Sequence, residues 1–180
     1  GGINVYLQQQ FSIFRKTPRW LDKLFDLPFM LRIAAAREAT TEASSLGPIT
    51  LSMLKGGDGN QKKELTRLVE WLVEHEKPDL IHISNALLLG LAGELKRAVG
   101  VPIVCSLQDE QTWLVDMEGD YEQLCWDEMA SHANNVDAFI AVSDWYAGET
   151  TRRMSIPSEK MHVVPLGIDL SDRESPPVSF

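Results

Sequence analysis

Between residues 137 and 169 the chain places an apolar strand pattern, a helix-capping serine and a second strand pattern in quick succession, and this spacing restricts the fold more than any other stretch. Asp137-Ala138-Phe139-Ile140-Ala141-Val142 lacks the polar alternation of a half-exposed strand and predicts one covered on both faces, as strands of parallel sheets are. Ser143 follows, and its hydroxyl can accept from the free N–H groups of a helix that begins there. Ile156-Pro157-Ser158 stops that helix, His162-Val163-Val164 predicts another strand, and Pro165, Gly167 and Asp169 turn the chain away. Strand, crossover helix and strand make half of a doubly wound α/β fold, in which ligands bind outside the carboxyl ends of the strands. Ser143 and the 165–169 turn are thereby expected at that edge.

The preceding residues extend the alternation. Leu65, Leu68, Val69, Leu72 and Val73 share one helical face and predict a helix ending near His75, with Pro78 separating it from a strand at Leu80–Ile83. Asn85 is placed to cap the next helix, whose Leu88, Leu91, Ala92 and Leu95 face the core. Gly100 closes that helix before a strand at Ile103–Ser106. Upstream, Ile3, Tyr6, Leu7, Gln10, Phe11 and Phe14 repeat at helical spacing directly after Gly1-Gly2, and short helices are expected at Trp20–Phe25 and Phe29–Ala36, on either side of Pro28. The apolar run Ile49–Leu54 reads as a strand because glycine-rich Lys55–Gly59 interrupts it, and that loop reads as mobile.

With 180 residues, 44% of them hydrophobic, the chain suffices for one domain with a core. A net charge of −9 argues against nucleic acid as a partner, since phosphate binding needs a basic face. Two cysteines, Cys105 in an expected strand and Cys125 in an expected helix, suit buried thiols in a reducing compartment. No apolar run reaches the length of a membrane span, so a cytoplasmic location is expected. Residues 11–37 stand apart. They carry +4 against −13 for the rest, with Trp20, Phe25, Phe29 and Met30 interleaved. Such a segment either packs its aromatics beneath the sheet or touches the inner membrane face peripherally.

The blocks DAFIAVS and IPSEKMHVVPLGID resemble the end of the N-terminal domain of group 1 (family 4) glycosyltransferases of GT-B architecture. Gly1-Gly2-Ile3-Asn4-Val5-Tyr6-Leu7 is similar to the family's glycine loop and first helix, and Pro78–Asn85 with Val101–Gln108 to two of its central strands. The resemblance implies a three-layer Rossmann-like domain with a mainly parallel sheet, one half of a GT-B fold. On this reading residues 1–180 are a single N-terminal, acceptor-side domain, a fragment without the first strand and the C-terminal donor-binding domain. It would be inactive alone and able to dimerise through its open sheet edge. For the whole enzyme the resemblance implies hexosyl transfer, with retention, from a nucleotide-sugar to the hydroxyl of a glycan or lipid-linked acceptor. The nucleotide-sugar is then a substrate, and no cofactor or catalytic metal is expected. A non-catalytic sugar-binding or assembly module on the same scaffold is the alternative.

Candidate residues follow from both readings. Gly1 and Gly2 would let backbone approach the donor phosphates at a helix N-terminus, unless they are simply a flexible end. Gln108 stands where many family members have a histidine that contacts the transferred sugar. A glutamine amide can hydrogen-bond hydroxyls but cannot take a proton near neutral pH, and a solvated loop residue is its other reading. Asp109 and Glu110 are adjacent carboxylates that could orient or deprotonate an acceptor hydroxyl, although neighbours on a loop usually point apart. Ser84, Asn85 and Ser143 complete the acceptor side, with capping as the competing account of each. Asp109–Glu128 holds eight acids and no Lys or Arg. Its glycine is misplaced for a calcium loop, so a solvated acidic face is expected rather than a metal site. No His or Cys spacing resembles a zinc site.

Overall fold

In a computed structural model of the chain the described residues are 46–167. Gly1 and Gly2, the expected helices upstream of residue 37, the basic segment 11–37 and Asp169 lie outside them. Among the described residues, four strands form one wholly parallel sheet in the order β1 (Ile81–Ile83), β2 (Ile103–Ser106), β3 (Ala138–Ala141), β4 (Met161–Val163). The pairing sets Ile83 beside Cys105, Cys105 beside Phe139 and Phe139 beside Met161. Each strand is connected to the next through helix, so all four carboxyl ends emerge at one edge.

The helices are α1 (Leu46–Leu54), α2 (Lys62–Trp71), α3 (Ala92–Val99), α4 (Glu110–Val115), α5 (Tyr121–His132) and α6 (Asp144–Met154). A wider π turn, Leu72–Glu76, extends α2, and a 3₁₀ segment, Ala86–Leu91, leads into α3. The predicted caps are in place. Asn85 Oδ1 accepts from the Leu87 N–H at 2.8 Å, Ser143 Oγ from the Tyr146 N–H at 3.2 Å, and Gly100 ends α3 with φ at 75°. Phe139, Leu54, Leu89, Ile103, Leu107, Leu114 and Met129 fill the solvent-free core. Arg153 of α6 ties it to α5, pairing with Glu122 at 3.2 Å while its guanidinium lies 4.9 Å from the Trp126 ring centre. Its pairing with Glu149 at 2.7 Å raises the Arg153 pKa.

Two expectations fail upstream of β1. Residues 49–54 are helix, not strand. The apolar run is too short for its period to decide, and Pro48 sits within the first helical turn, where its missing N–H costs nothing. Gly47, Thr50 and Leu54 are buried on one face of α1, which packs on α5 and on the 86–91 segment. Nor is 55–59 a loose loop. It tightens into a 3₁₀ turn at Gly56–Asp58, and Gly56 adopts φ 53° where a β-carbon would stand 2.1 Å from the Gly90 carbonyl oxygen. Ser52 secures the far side, donating to Gln61 Oε1 at 2.8 Å and accepting from the Asn60 N–H at 2.9 Å. The glycines mark close backbone approach.

Candidate functional site

Ser84 and Asn85 leave β1, Leu107, Gln108 and Asp109 leave β2, Val142 and Ser143 leave β3, and Val164–Gly167 leave β4. Backbone bonds carry the sheet into these turns, from Leu107 N–H to the Ile140 carbonyl and from Val164 N–H to the Ala141 carbonyl, both at 2.9 Å. The sequence-predicted residues within 46–167 therefore share one edge. Gln108, Asp109 and Ser84 are exposed there, Asn85 and Ser143 are half-buried, and Glu110 alone is interior, 1% exposed.

Glu110 opens α4, but its side chain turns back into the protein. Oε1 accepts from the Ala86 N–H at 2.8 Å, both carboxylate oxygens lie 3.1 Å from the Gln108 N–H, and Oε2 accepts from the Tyr146 hydroxyl at 2.5 Å. The Glu110 N–H in turn donates to the Tyr146 oxygen at 2.7 Å. A buried carboxylate needs such donors because desolvation is otherwise prohibitive. Among the described residues these are N–H and O–H groups rather than a cation. The three partners belong to the segments after β1, β2 and β3, so one side chain joins three strand ends. Burial, followed by the hydrogen bond and charge of Glu110, drives the Tyr146 phenol pKa far above its ordinary value.

Asp109, the residue between, points the other way. Its backbone is left-handed, φ 58° and ψ 44°, a conformation that costs an L-residue about 1–2 kcal/mol and that Asp and Asn tolerate best. Its Oδ2 accepts from the Thr112 hydroxyl at 2.7 Å and otherwise faces solvent. The adjacent carboxylates thus diverge, as expected of loop neighbours. Glu110, named with Asp109 as a candidate to touch substrate, is instead engaged by the protein on both oxygens. At Gln108 it is the backbone N–H that is tied down, and the side chain projects outward.

Tyr146 and Trp145 were not legible as site residues. Trp145 is 71% exposed at the start of α6, with its ring stacked on that of Tyr146 at 6.2 Å between centres and 22° between planes. Adjacent residues of one helix take opposite environments here. Tyr146 faces inward with Ala147, Thr150 and Met154 on the buried side of α6, and there its hydroxyl meets Glu110, 36 residues away in sequence.

Elsewhere the candidates separate. His82 Nε2 lies 2.8 Å from Ser106 Oγ across β1 and β2, and His162 is exposed on β4. Among the described residues no group of three or more His, Cys, Asp or Glu could hold a metal ion, and no helix is long and apolar enough to cross a membrane. Of the acids between 109 and 128, Glu110 is buried and Glu122 pairs with Arg153, so the run is not uniformly a solvated face. An apolar groove of about 160 Å³ lies among Met53, Leu65, Leu68, Leu87, Leu88 and Leu91. Its walls suit hydrocarbon rather than phosphate.

Comparison with curated proteins returns no match. The model of Glycosyltransferase Family 4 matches residues 14–172, which takes in the whole sheet, its four carboxyl-end turns and the Glu110–Tyr146 contact. A parallel α/β sheet with polar side chains gathered at its ligand edge, under a match of that extent, means that the chain belongs to glycosyltransferase family 4.

Proposed function

We propose that this domain forms the acceptor side of a GT-B enzyme that transfers a hexosyl group, with retention, from a nucleotide-sugar to an acceptor hydroxyl. The observation that carries the reading is the chemistry of the strand-end edge. Residues 84–85, 107–110 and 142–145 supply hydroxyls, amides and carboxylates, and neither they nor the apolar 164–167 turn include a Lys or Arg. Hydroxyl-rich sugars are matched by such groups, whereas a diphosphate needs cations or helix N-termini. The helix N-termini in these turns carry the acids Glu110 and Asp144, which oppose a phosphate, so the edge suits acceptor and sugar, and the donor diphosphate would be held by groups outside these turns, Gly1 and Gly2 among them.

The exposed groups support the following roles. The Gln108 amide, exposed on its turn, donates to and accepts from hydroxyls of the transferred sugar. Asp109 is the exposed carboxylate that orients the acceptor hydroxyl and takes up its proton. Asn85 and Ser143 use acceptor atoms for their caps, which leaves the Asn85 amide N–H groups and the Ser143 O–H to donate to acceptor hydroxyls. Ser84 adds a further hydroxyl, and Trp145 a flat apolar face beside them. Catalysis rests on positioning and on charge stabilisation at the leaving diphosphate.

The test is incubation of the whole natural protein with a panel of nucleotide-sugars and glycan or lipid-linked acceptors. Released nucleoside diphosphate and the anomeric configuration of the product are then measured. Donor-specific release with retained configuration supports the reading, and inverted configuration overturns its stereochemistry. The lack of cationic side chains at the edge also favours a second reading, a sugar-binding or assembly module. Saturable sugar binding without any diphosphate release would establish it.

A further inference from the structure

Tyr146 lies beneath the edge, 4% exposed, so substrate would not reach its hydroxyl. Its phenol is nevertheless bonded twice to a single residue, accepting from the Glu110 N–H and donating to the Glu110 carboxylate. That ring of two bonds fixes both the backbone and the side chain of Glu110. Glu110 then holds the Gln108 N–H on one side and the Ala86 N–H on the other. Between the two anchored residues sits Asp109, in the left-handed conformation that turns its carboxylate outward. A strained residue persists only where its surroundings over-determine it, and here the clamps on residues 108 and 110 do so.

We propose that Tyr146 is a positioning residue, a latch that holds the 107–110 turn so that Gln108 and Asp109 face the substrate together. The inference rests on the acceptor-side reading for what is positioned and on the described hydrogen bonds for how. Phenylalanine at 146 would keep the ring and its stacking on Trp145 while removing both bonds, leaving the Glu110 N–H and one carboxylate oxygen without their buried partner. The turn would then sample other conformations, at the expense of the reactive geometry more than of ground-state binding. Misplacement on the order of 1 Å can cost about 10²-fold in rate.

The experiment uses the whole natural protein with the donor and acceptor it transfers between, at a temperature where circular dichroism shows every variant folded. Tyr146→Phe is expected to lower kcat about 10- to 100-fold with the donor KM within about twofold, since a transition-state interaction is lost rather than uniform binding. The double variant Tyr146→Phe/Gln108→Ala is expected to lose less than the sum of the two single losses, because part of the Tyr146 effect acts through Gln108. Unchanged kcat in Tyr146→Phe, or fully additive losses in the double variant, would overturn the latch. A second readout needs no activity: amide hydrogen exchange at Gln108 and Glu110 should accelerate in Tyr146→Phe, while unchanged protection overturns the proposal. If the unaltered protein transfers no sugar from any donor, the transferase reading fails on its own, and the exchange experiment still decides whether Tyr146 holds the turn.

Discussion

Asp137 and Ile103 exchange two hydrogen bonds: the Ile103 N–H donates to Asp137 Oδ2 at 2.7 Å, and the Asp137 N–H donates to the Ile103 carbonyl at 2.8 Å. The side chain thus replaces a strand neighbour at the point where β2 begins and β3 has not yet joined it. Lys96 of α3 completes the arrangement, 2.5 Å from the same carboxylate oxygen.

Those contacts, the Lys96 hydrogen bond first and the Ile103 N–H second, hold the Asp137 carboxyl below its ordinary value of 3.8. A depressed folded-state pKa contributes stability that is present above the unfolded value and is lost as pH falls through the folded one. Asp137→Asn keeps an acceptor for Ile103 and loses the charge. Its destabilisation should be about 0.5–1 kcal/mol near neutral pH, small because the side chain is 46% exposed. Urea midpoints of the two proteins should converge as pH drops below about 4. A constant difference down to the acid limit would remove the charge from the explanation.

Gly90 and Gly93 stand three residues apart and should respond oppositely to alanine. A β-carbon at Gly90 would lie 2.3 Å from the Met53 carbonyl oxygen and 2.4 Å from that of Leu54, both backbone atoms that cannot step aside. Gly90→Ala should therefore cost about 2 kcal/mol or more through displacement of α1. At Gly93 the nearest atom is Asn135 Nδ2 at 3.4 Å, so Gly93→Ala should be neutral or stabilising by up to about 1 kcal/mol through helix propensity. Thermal or urea unfolding of the two variants checks the contrast.

Both thiols should be inert in the folded protein. Cys105 is sealed in β2, and burial followed by the charge of Glu110 pushes its pKa far up, while burial and Glu128 bring Cys125 to about 11. The nucleophile is the thiolate, so a thiol reagent at pH 8 should modify neither cysteine natively and both in denaturant. Mass spectrometry of the labelled protein counts them. Stoichiometric native labelling at Cys105 would contradict the described packing.

Asp109→Gly separates strain from chemistry. Glycine adopts φ 58° without a steric penalty, so stability should hold within about 0.5 kcal/mol or rise, the lost Thr112 bond offsetting the relief. Sugar transfer by the whole protein should fall about tenfold or more if the carboxylate meets the acceptor hydroxyl. Undiminished transfer would take Asp109 out of the reaction.

What could be read from sequence was local. Ser143, Asn85 and Gly100 announce helix ends through chemistry that acts within three residues, and all three do what their positions imply. The strands at 81, 103, 138 and 161 were legible as short apolar runs between helix stops and caps, although His82 on β1 and His162 on β4 are exposed. Ile49–Leu54 misled because six apolar-rich residues fit either period, and what makes them helix is α5 and the 86–91 segment packed against them. Glu110 was correctly placed at the edge and given to the wrong side of it. Nothing near position 110 indicates that a tyrosine 36 residues later will draw its carboxylate inward.

The clamp on position 108 grips the main-chain N–H and leaves the amide side chain unheld. Anchoring and chemistry are thereby uncoupled at that site. Whatever residue stands there inherits the same fixed backbone, so the identity of position 108 is a setting the scaffold can change without refolding.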